Sequence, residues 1–138
     1  MRHIPDLHVD RGECKQLQGI FLVRVEHAIY RWHAQKPFFE LRFVVLEPTE
    51  HRGHCLTGRL YCTPRALWKL NWFLRDFGYP ADLLAKDEVD EKSLLGLIGI
   101  IRVSRGFLNS HSFANLDGFA PASQWQDVTT EPTNTHGL

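Results

Sequence analysis

The sequence predicts a mostly β domain of five strands, with one helix between the third and the fourth strand. Two long segments, 20–32 and 38–47, are rich in β-branched and aromatic residues and alternate with a period of two. A third such segment, 55–62, is followed by Thr63 and Pro64, a typical helix start. The length of 138 residues, 43% of them hydrophobic, suits one domain with its own core.

The domain organisation follows from where this periodicity begins and ends. Residues 1–18 mix charge, histidine and proline without a sustained pattern, so we expect an N-terminal arm. The folded domain is predicted over 19–122. The remaining segment, 123–138, is rich in Thr, Pro and Asn and is predicted to be a flexible tail.

The first three strands are predicted to form an antiparallel meander. The connection 33–37 has the length of a hairpin loop, and 48–54 supplies the next turn. In the second strand, the even-numbered positions 38–44 are predicted to face outward and the odd-numbered positions 39–45 inward.

The helix is predicted over 64–77, because Leu67, Leu70, Leu74 and Phe77 recur at helical spacing before Gly78. A further helical turn is predicted at 93–96. Strands four and five are predicted at 97–104 and 109–118. The predicted order is three antiparallel strands, a helix and two more strands. A five-stranded OB-like Greek-key barrel has this order, with its helix between strands 3 and 4. Other split barrels and small α+β sheets share this order and remain alternatives.

Four runs of sequence resemble a known family. They are GIFLVRVEHAIYRW, PFFELRFVVLEP, Gly58-Arg59-Leu60-Tyr61 leading into Ala66-Leu67-Trp68-Lys69-Leu70, and Leu95-Gly96 before strand four. Together they resemble the phage-type OB-fold single-stranded DNA-binding proteins of phage and mobile-element replication and recombination. The resemblance covers 19 to about 120. It implies binding of single-stranded DNA beside recombinases or replication proteins.

The charge balance favours a moderately basic nucleic-acid protein over a strongly basic one. Sixteen basic and sixteen acidic residues cancel, but residues 1–80 carry a balance of +4 and residues 81–138 a balance of −4. The longest apolar stretch, 94–101, is too short to cross a bilayer, so no membrane partner is expected. Three cysteines are too few for a disulfide framework, which favours reduced thiols and a cytoplasmic location.

Alternation along the strands predicts an aromatic and basic outer face. Bases stack on aromatic rings and cations meet phosphates, and neither contact needs a fixed base sequence. The predicted binding residues are Arg24, Tyr30, Arg31, Trp32, Lys36, Phe38, Arg42, Arg52, Arg59 and Tyr61. A bulge near 26–28 would reverse the phase of Tyr30 and Trp32. The predicted function is non-catalytic binding of single-stranded nucleic acid, with DNA favoured and RNA as the alternative.

Other roles also fit these residues or are excluded by them. The same aromatic face suits a protein-interaction module that assembles with a larger nucleic-acid-processing subunit, or a homo-oligomer interface. Trp68 and Trp72, four apart on the helix, are predicted to be structural. The spacing of His51, His54, Cys55 and Cys62 matches no usual zinc finger, so no metal or other cofactor is expected. No enzyme motif is present in the sequence, and no catalysis is expected.

Overall fold

A computed structural model describes residues 17–108 and 111–128, without the side chains of 107–113. It has five strands: β1 (Gly19–His33), β2 (Lys36–Glu47), β3 (Cys55–Tyr61), β4 (Ile98–Leu108) and β5 (His111–Pro121). Three short α-helices lie between β3 and β4: α1 (Leu67–Asp76), α2 (Ala81–Ala85) and α3 (Glu91–Leu94). Two 3₁₀ turns occupy Thr49–His51 and Ala122–Gln124.

The predicted N-terminal arm lies almost wholly outside the described residues, as does the end of the predicted tail from 129 onward. β1 begins at Gly19, where the domain was predicted to begin. The described part of the tail starts within a 3₁₀ turn. None of the helices described has the length and apolar character needed to cross a bilayer.

The five strands form one antiparallel sheet in the order β3-β2-β1-β4-β5. This confirms a mostly β fold with the helical segment between the third and the fourth strand. The outer strands β3 and β5 approach each other, since a Cβ atom added at Gly58 would lie 2.7 Å from Leu116 Cγ. No hydrogen-bonded ladder joins β3 to β5 within the described strands, so the sheet is curved but not closed. A closed barrel is therefore not confirmed.

The core lies between the concave face of the sheet and α1. The odd-numbered residues of β2 from Phe39 to Val45 are buried as predicted, because period-two alternation places them on one face. Helix α1 adds Leu70, Phe73 and Leu74 to this core. A Cβ atom at Gly99 would lie 2.5 Å from the Phe77 ring, so only glycine lets this ring pack against β4.

The predicted helix differs from α1 in its start and in its buried face. The chain makes turns at 63–66 and becomes α-helical only at Leu67. Leu67, predicted to be core, is 46% exposed, whereas Phe73 is fully buried among aromatic rings. Helical spacing allows neighbouring apolar stripes, and packing against β5 selects the one that contains Phe73.

A β-bulge in β1 reverses the direction of its side chains. Val25 pairs with Phe43, but His27, two residues on, pairs with Arg42, so Glu26 is the extra residue. Before the bulge, Phe21, Val23 and Val25 face the core. After it, Ala28 lies opposite the inward-facing Leu41, and the alternation has changed phase.

The β1–β2 hairpin closes through a two-residue turn, shorter than the loop predicted at 33–37. His33 pairs with Lys36, and the two residues between them, Ala34 and Gln35, have φ values of +53° and +65°. Positive φ at both central residues is the geometry of a type I′ turn, whose twist matches that of paired strands. The usual sequence of such a turn is Asn-Gly. Because this chain has Ala-Gln instead, the turn type could not be predicted from the sequence.

Replacing Ala34 by Asn and Gln35 by Gly should stabilise the protein by about 1 kcal/mol. A left-handed conformation costs a residue with a Cβ atom roughly 1–2 kcal/mol, and the added freedom of glycine in the unfolded chain offsets part of that gain. Denaturant unfolding at equilibrium measures the change. Gln124→Gly, at an exposed site outside the positive-φ residues, is the matched control and should give no gain. Equal stability of the double variant and the parent would contradict the turn geometry.

Candidate nucleic-acid interface

The convex face of β1, β2 and β3 brings together four of the arginines predicted from the sequence. Cross-strand pairing puts Arg42 between His27 and Thr57, and puts Glu40 opposite Arg59. Arg24 and Arg31 lie on the same face of β1, on either side of the bulge. We call this surface the arginine face, defined by Arg24, Arg31, Arg42 and Arg59.

An aromatic cluster at one end of the arginine face holds Arg59 in place. The Arg59 Cζ atom lies 4.6 Å from the centroid of the Phe38 ring, and its Nη1 donates to the Tyr61 hydroxyl at 3.3 Å. The Phe38 and Tyr61 rings pack at 5.2 Å between centroids. Phe38 faces outward in phase as predicted, but only 2% of its surface is exposed. It therefore supports Arg59 through a cation–π contact, and Tyr61 presents the more accessible ring.

Two of the predicted arginines are held by carboxylates. Arg31 Nε lies 2.9 Å from Glu40 Oε1, and Arg52 Nη2 lies 3.0 Å from Glu47 Oε2. The Arg52 Nε also donates to the Leu46 carbonyl oxygen at 3.0 Å, at the far end of β2. These pairs are largely exposed, and an exposed ion pair contributes only about 0–1 kcal/mol.

Arg24 and Arg42 differ in their surroundings. Arg24 is exposed, and no side-chain partner for it is found among the described residues. Arg42 is half-buried, and its Nη2 lies 3.8 Å from the Cys55 sulfur. The guanidinium of Arg42 is therefore packed at the middle of the face, whereas that of Arg24 extends into solvent.

Tyr30 and Trp32 do not share a face with the arginines, contrary to the outward direction expected of them. Because of the bulge, Tyr30 lies opposite Phe39 and its ring packs there at 5.2 Å between centroids. Trp32 contacts Tyr30 edge to face at 6.5 Å and remains 65% exposed near the hairpin tip. The Tyr30 backbone N–H donates to the Glu91 carboxylate of α3. The two rings thus form a second surface, on the concave side of the hairpin.

The structure has a groove beside the aromatic cluster that the sequence did not predict. It has a volume of about 550 Å³ and is lined by Lys36, Tyr61, Thr63, Pro64, Arg65 and Ala66. Lys36 and Tyr61 were predicted as binding residues, whereas Arg65 was not. The turns that precede α1 bring Arg65 to this groove, and helical periodicity gives no signal for them.

The two tryptophans of α1 have different environments. Trp72 donates its Nε1–H to Asp76 Oδ2 at 2.9 Å and packs edge to face on Phe119 at 5.5 Å. This agrees with the structural role predicted for it. Trp68 stacks on Trp72 at 6.1 Å between centroids but is 63% exposed.

The histidine and cysteine residues do not assemble into a metal site in the described ranges. No group of three or more His, Cys, Asp or Glu side chains there is placed to hold a metal ion. The His51 and His54 rings lie 5.9 Å apart, and both Nδ1 atoms are buried without a hydrogen-bond partner. Absence of zinc from the purified protein stays a prediction that metal analysis tests.

The cysteines depart in part from the expectation of reduced thiols. Cys55 is disulfide-bonded, so the expectation is wrong at this position, whereas Cys62 is a free thiol. Burial raises the pKa of the Cys62 thiol above its ordinary value. The neutral thiol is a weak nucleophile, so nothing in this environment activates Cys62 for covalent chemistry.

Comparison of the sequence with protein-family models gives no match, and comparison with curated proteins gives none either. The function of the chain therefore has to be inferred from its own residues and geometry.

Proposed function

We propose that this protein binds single-stranded nucleic acid, with DNA as the preferred ligand, and that it does so without catalysis. The observation that carries the proposal is the arginine face, a concentration of guanidinium groups on one side of a three-stranded meander with the Tyr61 ring at its end. Guanidinium groups meet phosphates and also stack on bases, so this surface needs no fixed base sequence.

The proposed fold is an OB-like Greek-key barrel that is open between β3 and β5. The strand order, the helical segment after β3 and the approach of Leu116 to Gly58 support this assignment. In such a barrel, the convex face of β2 and β3 is a surface for oligonucleotides. The arginine face includes that surface.

The predicted binding residues divide into different roles. Arg24, Arg42 and Arg59 are proposed to contact phosphates directly. Arg31 and Arg52 would join them by exchanging an exposed carboxylate for a phosphate, an exchange that their weak ion pairs permit. Tyr61 would stack on a base, while Phe38 keeps Arg59 in position.

The proposed setting is the replication or recombination of a phage or mobile element in the cytoplasm, beside recombinases or replication proteins. The bonded state of Cys55 counts against this setting, because disulfides are rare in reducing compartments, and alkylation of the protein in intact cells tests the location. A Cys55 thiol that reacts supports a cytoplasmic setting. A Cys55 that stays bonded and protected contradicts it.

A protein-interaction module is the second candidate, and it is favoured by the concave surface of the hairpin. Tyr30 and Trp32 expose 42% and 65% of their surface away from the arginine face, and the chain has no net charge. Exposed aromatic rings are typical of sites that bind other proteins. A larger nucleic-acid-processing subunit or a second copy of the chain would be the partner.

Titration with fluorescent single-stranded DNA at several salt concentrations tests the proposal. A nucleic-acid site predicts affinity that falls linearly with salt on a log–log scale, because each neutralised phosphate releases counterions. The same titration with RNA of the same sequence measures the preference for deoxyribose over ribose. Lack of binding at low salt would overturn the nucleic-acid function and leave the protein-interaction module as the better account.

A further inference from the structure

We propose that the groove at the start of α1 receives one unstacked nucleotide of the bound strand. Its base would pack beside Tyr61, and the neighbouring phosphates would meet Lys36 and Arg65. This inference rests on the proposed function and extends it, because it gives one nucleotide a position and adds Arg65 to the binding residues.

The lining of the groove suits a planar apolar group. Tyr61, Pro64 and Ala66 contribute apolar surface, and the volume of about 550 Å³ lies within the range of small-ligand sites, roughly 300–1,000 Å³. A nucleobase is planar and can stack on an aromatic ring such as that of Tyr61.

The charges around the groove select an anionic occupant. Lys36 and Arg65 are both exposed, and the lining contains no acidic residue. Within the described part of the chain neither side chain forms an ion pair, unlike Arg31 and Arg52. Two unpaired cations beside an apolar wall match a nucleotide, which combines a base with phosphates on either side.

The groove is preformed and adjoins the arginine face. The Cys62 N–H donates to the Pro37 carbonyl oxygen at 2.8 Å, and the Ala66 N–H donates to that of Thr63 at 2.9 Å, which fixes two of its walls. Tyr61 belongs to both sites, since its hydroxyl accepts from Arg59 and its ring lines the groove. A strand that leaves the arginine face past Tyr61 therefore enters the groove directly.

Photochemical cross-linking tests this placement. The probe is oligo(dT) of about 16 nucleotides, the upper site size of an OB fold, with 5-iodouracil at one position in each of a series. We expect a cross-link to Tyr61, found by mass spectrometry of the digested complex. Ala66→Trp should remove this cross-link, because the indole would occupy the groove.

Salt dependence gives an independent measure through Arg65. Arg65→Gln should make the log–log salt slope shallower by roughly 0.7, the value for one lost contact on a single strand. Arg75→Gln, in α1 and outside the lining of the groove, is the control and should leave the slope unchanged.

The outcomes separate this inference from the function on which it rests. If the oligonucleotide binds, cross-links only outside the groove and responds to Arg65→Gln like the parent, the groove is not a nucleotide site but the proposed function stands. If the parent binds no oligonucleotide at low salt, both fail.

Discussion

Phe73→Ala is expected to lower the free energy of unfolding by about 3–5 kcal/mol, the usual loss when a buried aromatic side chain is removed from a core. Phe73 is fully buried, and its ring lies 4.6 Å from that of Phe77 and 5.4 Å from that of Phe119, between centroids. It therefore joins α1 to β5 through aromatic contacts as well as through buried area. Equilibrium unfolding in denaturant measures the loss.

Two further variants make this prediction specific. Leu67→Ala, on the same helix but at an exposed position, should change stability by about 0.5 kcal/mol or less. Phe73→Leu keeps an apolar branched side chain and should lose less than the alanine variant, which guards against a Phe73→Ala protein that does not fold. Equal losses at Leu67 and Phe73 would show that α1 buries a different face.

Replacing Arg24, Arg42 and Arg59 together by glutamine should make the salt slope of single-stranded DNA binding shallower by roughly 2, since each lost phosphate contact removes about 0.7. Glutamine keeps part of the length of the arginine side chain, so the packing against Phe38 and Cys55 is disturbed less than by alanine. Fluorescence anisotropy at several salt concentrations gives the slope.

The matched control removes the same formal charge from the helical segment. Arg75, Lys86 and Lys92 lie on or beside α1, α2 and α3, away from the arginine face. Their triple glutamine variant should keep nearly the slope of the parent. If both triple variants weaken binding equally, overall charge and not the arginine face attracts the strand, and the proposed interface is wrong.

The strands of the sheet were predictable because their physics is local. In β2, alternation identified the residues that face the core, since a pleated strand with one face on a core repeats every two residues, but it did not predict the burial of Phe38 on the other face. The same reasoning identified the convex position of Arg42. For Tyr30 and Trp32 the sequence left two directions open, because a bulge near 26–28 would reverse them; the structure has that extra residue at Glu26, so the outward direction expected of both rings is wrong.

The helical segment was less predictable because its orientation depends on tertiary packing. Leu67 and Phe73 both fit an apolar stripe, and only contact with Phe43 and Phe119 distinguishes between them. The groove was missed for a similar reason. Its walls come from the end of β3, the turn end of the β1–β2 hairpin and the turns before α1, which no single periodic pattern connects.

The bulge at Glu26 also determines how any substitution scan along β1 has to be interpreted. Before the bulge, even-numbered positions such as Arg24 report on the convex side of the sheet; after it, odd-numbered positions such as Arg31 do so. A scan interpreted with one regular alternation along the whole of β1 would combine residues from two opposite faces of the sheet. It would then find no periodic effect on any activity. Deleting Glu26 would make the alternation along β1 regular without moving Tyr30 or Trp32, because Val25 and His27 already pair with the consecutive residues Phe43 and Arg42; the aromatic rings would stay on the face opposite Arg24.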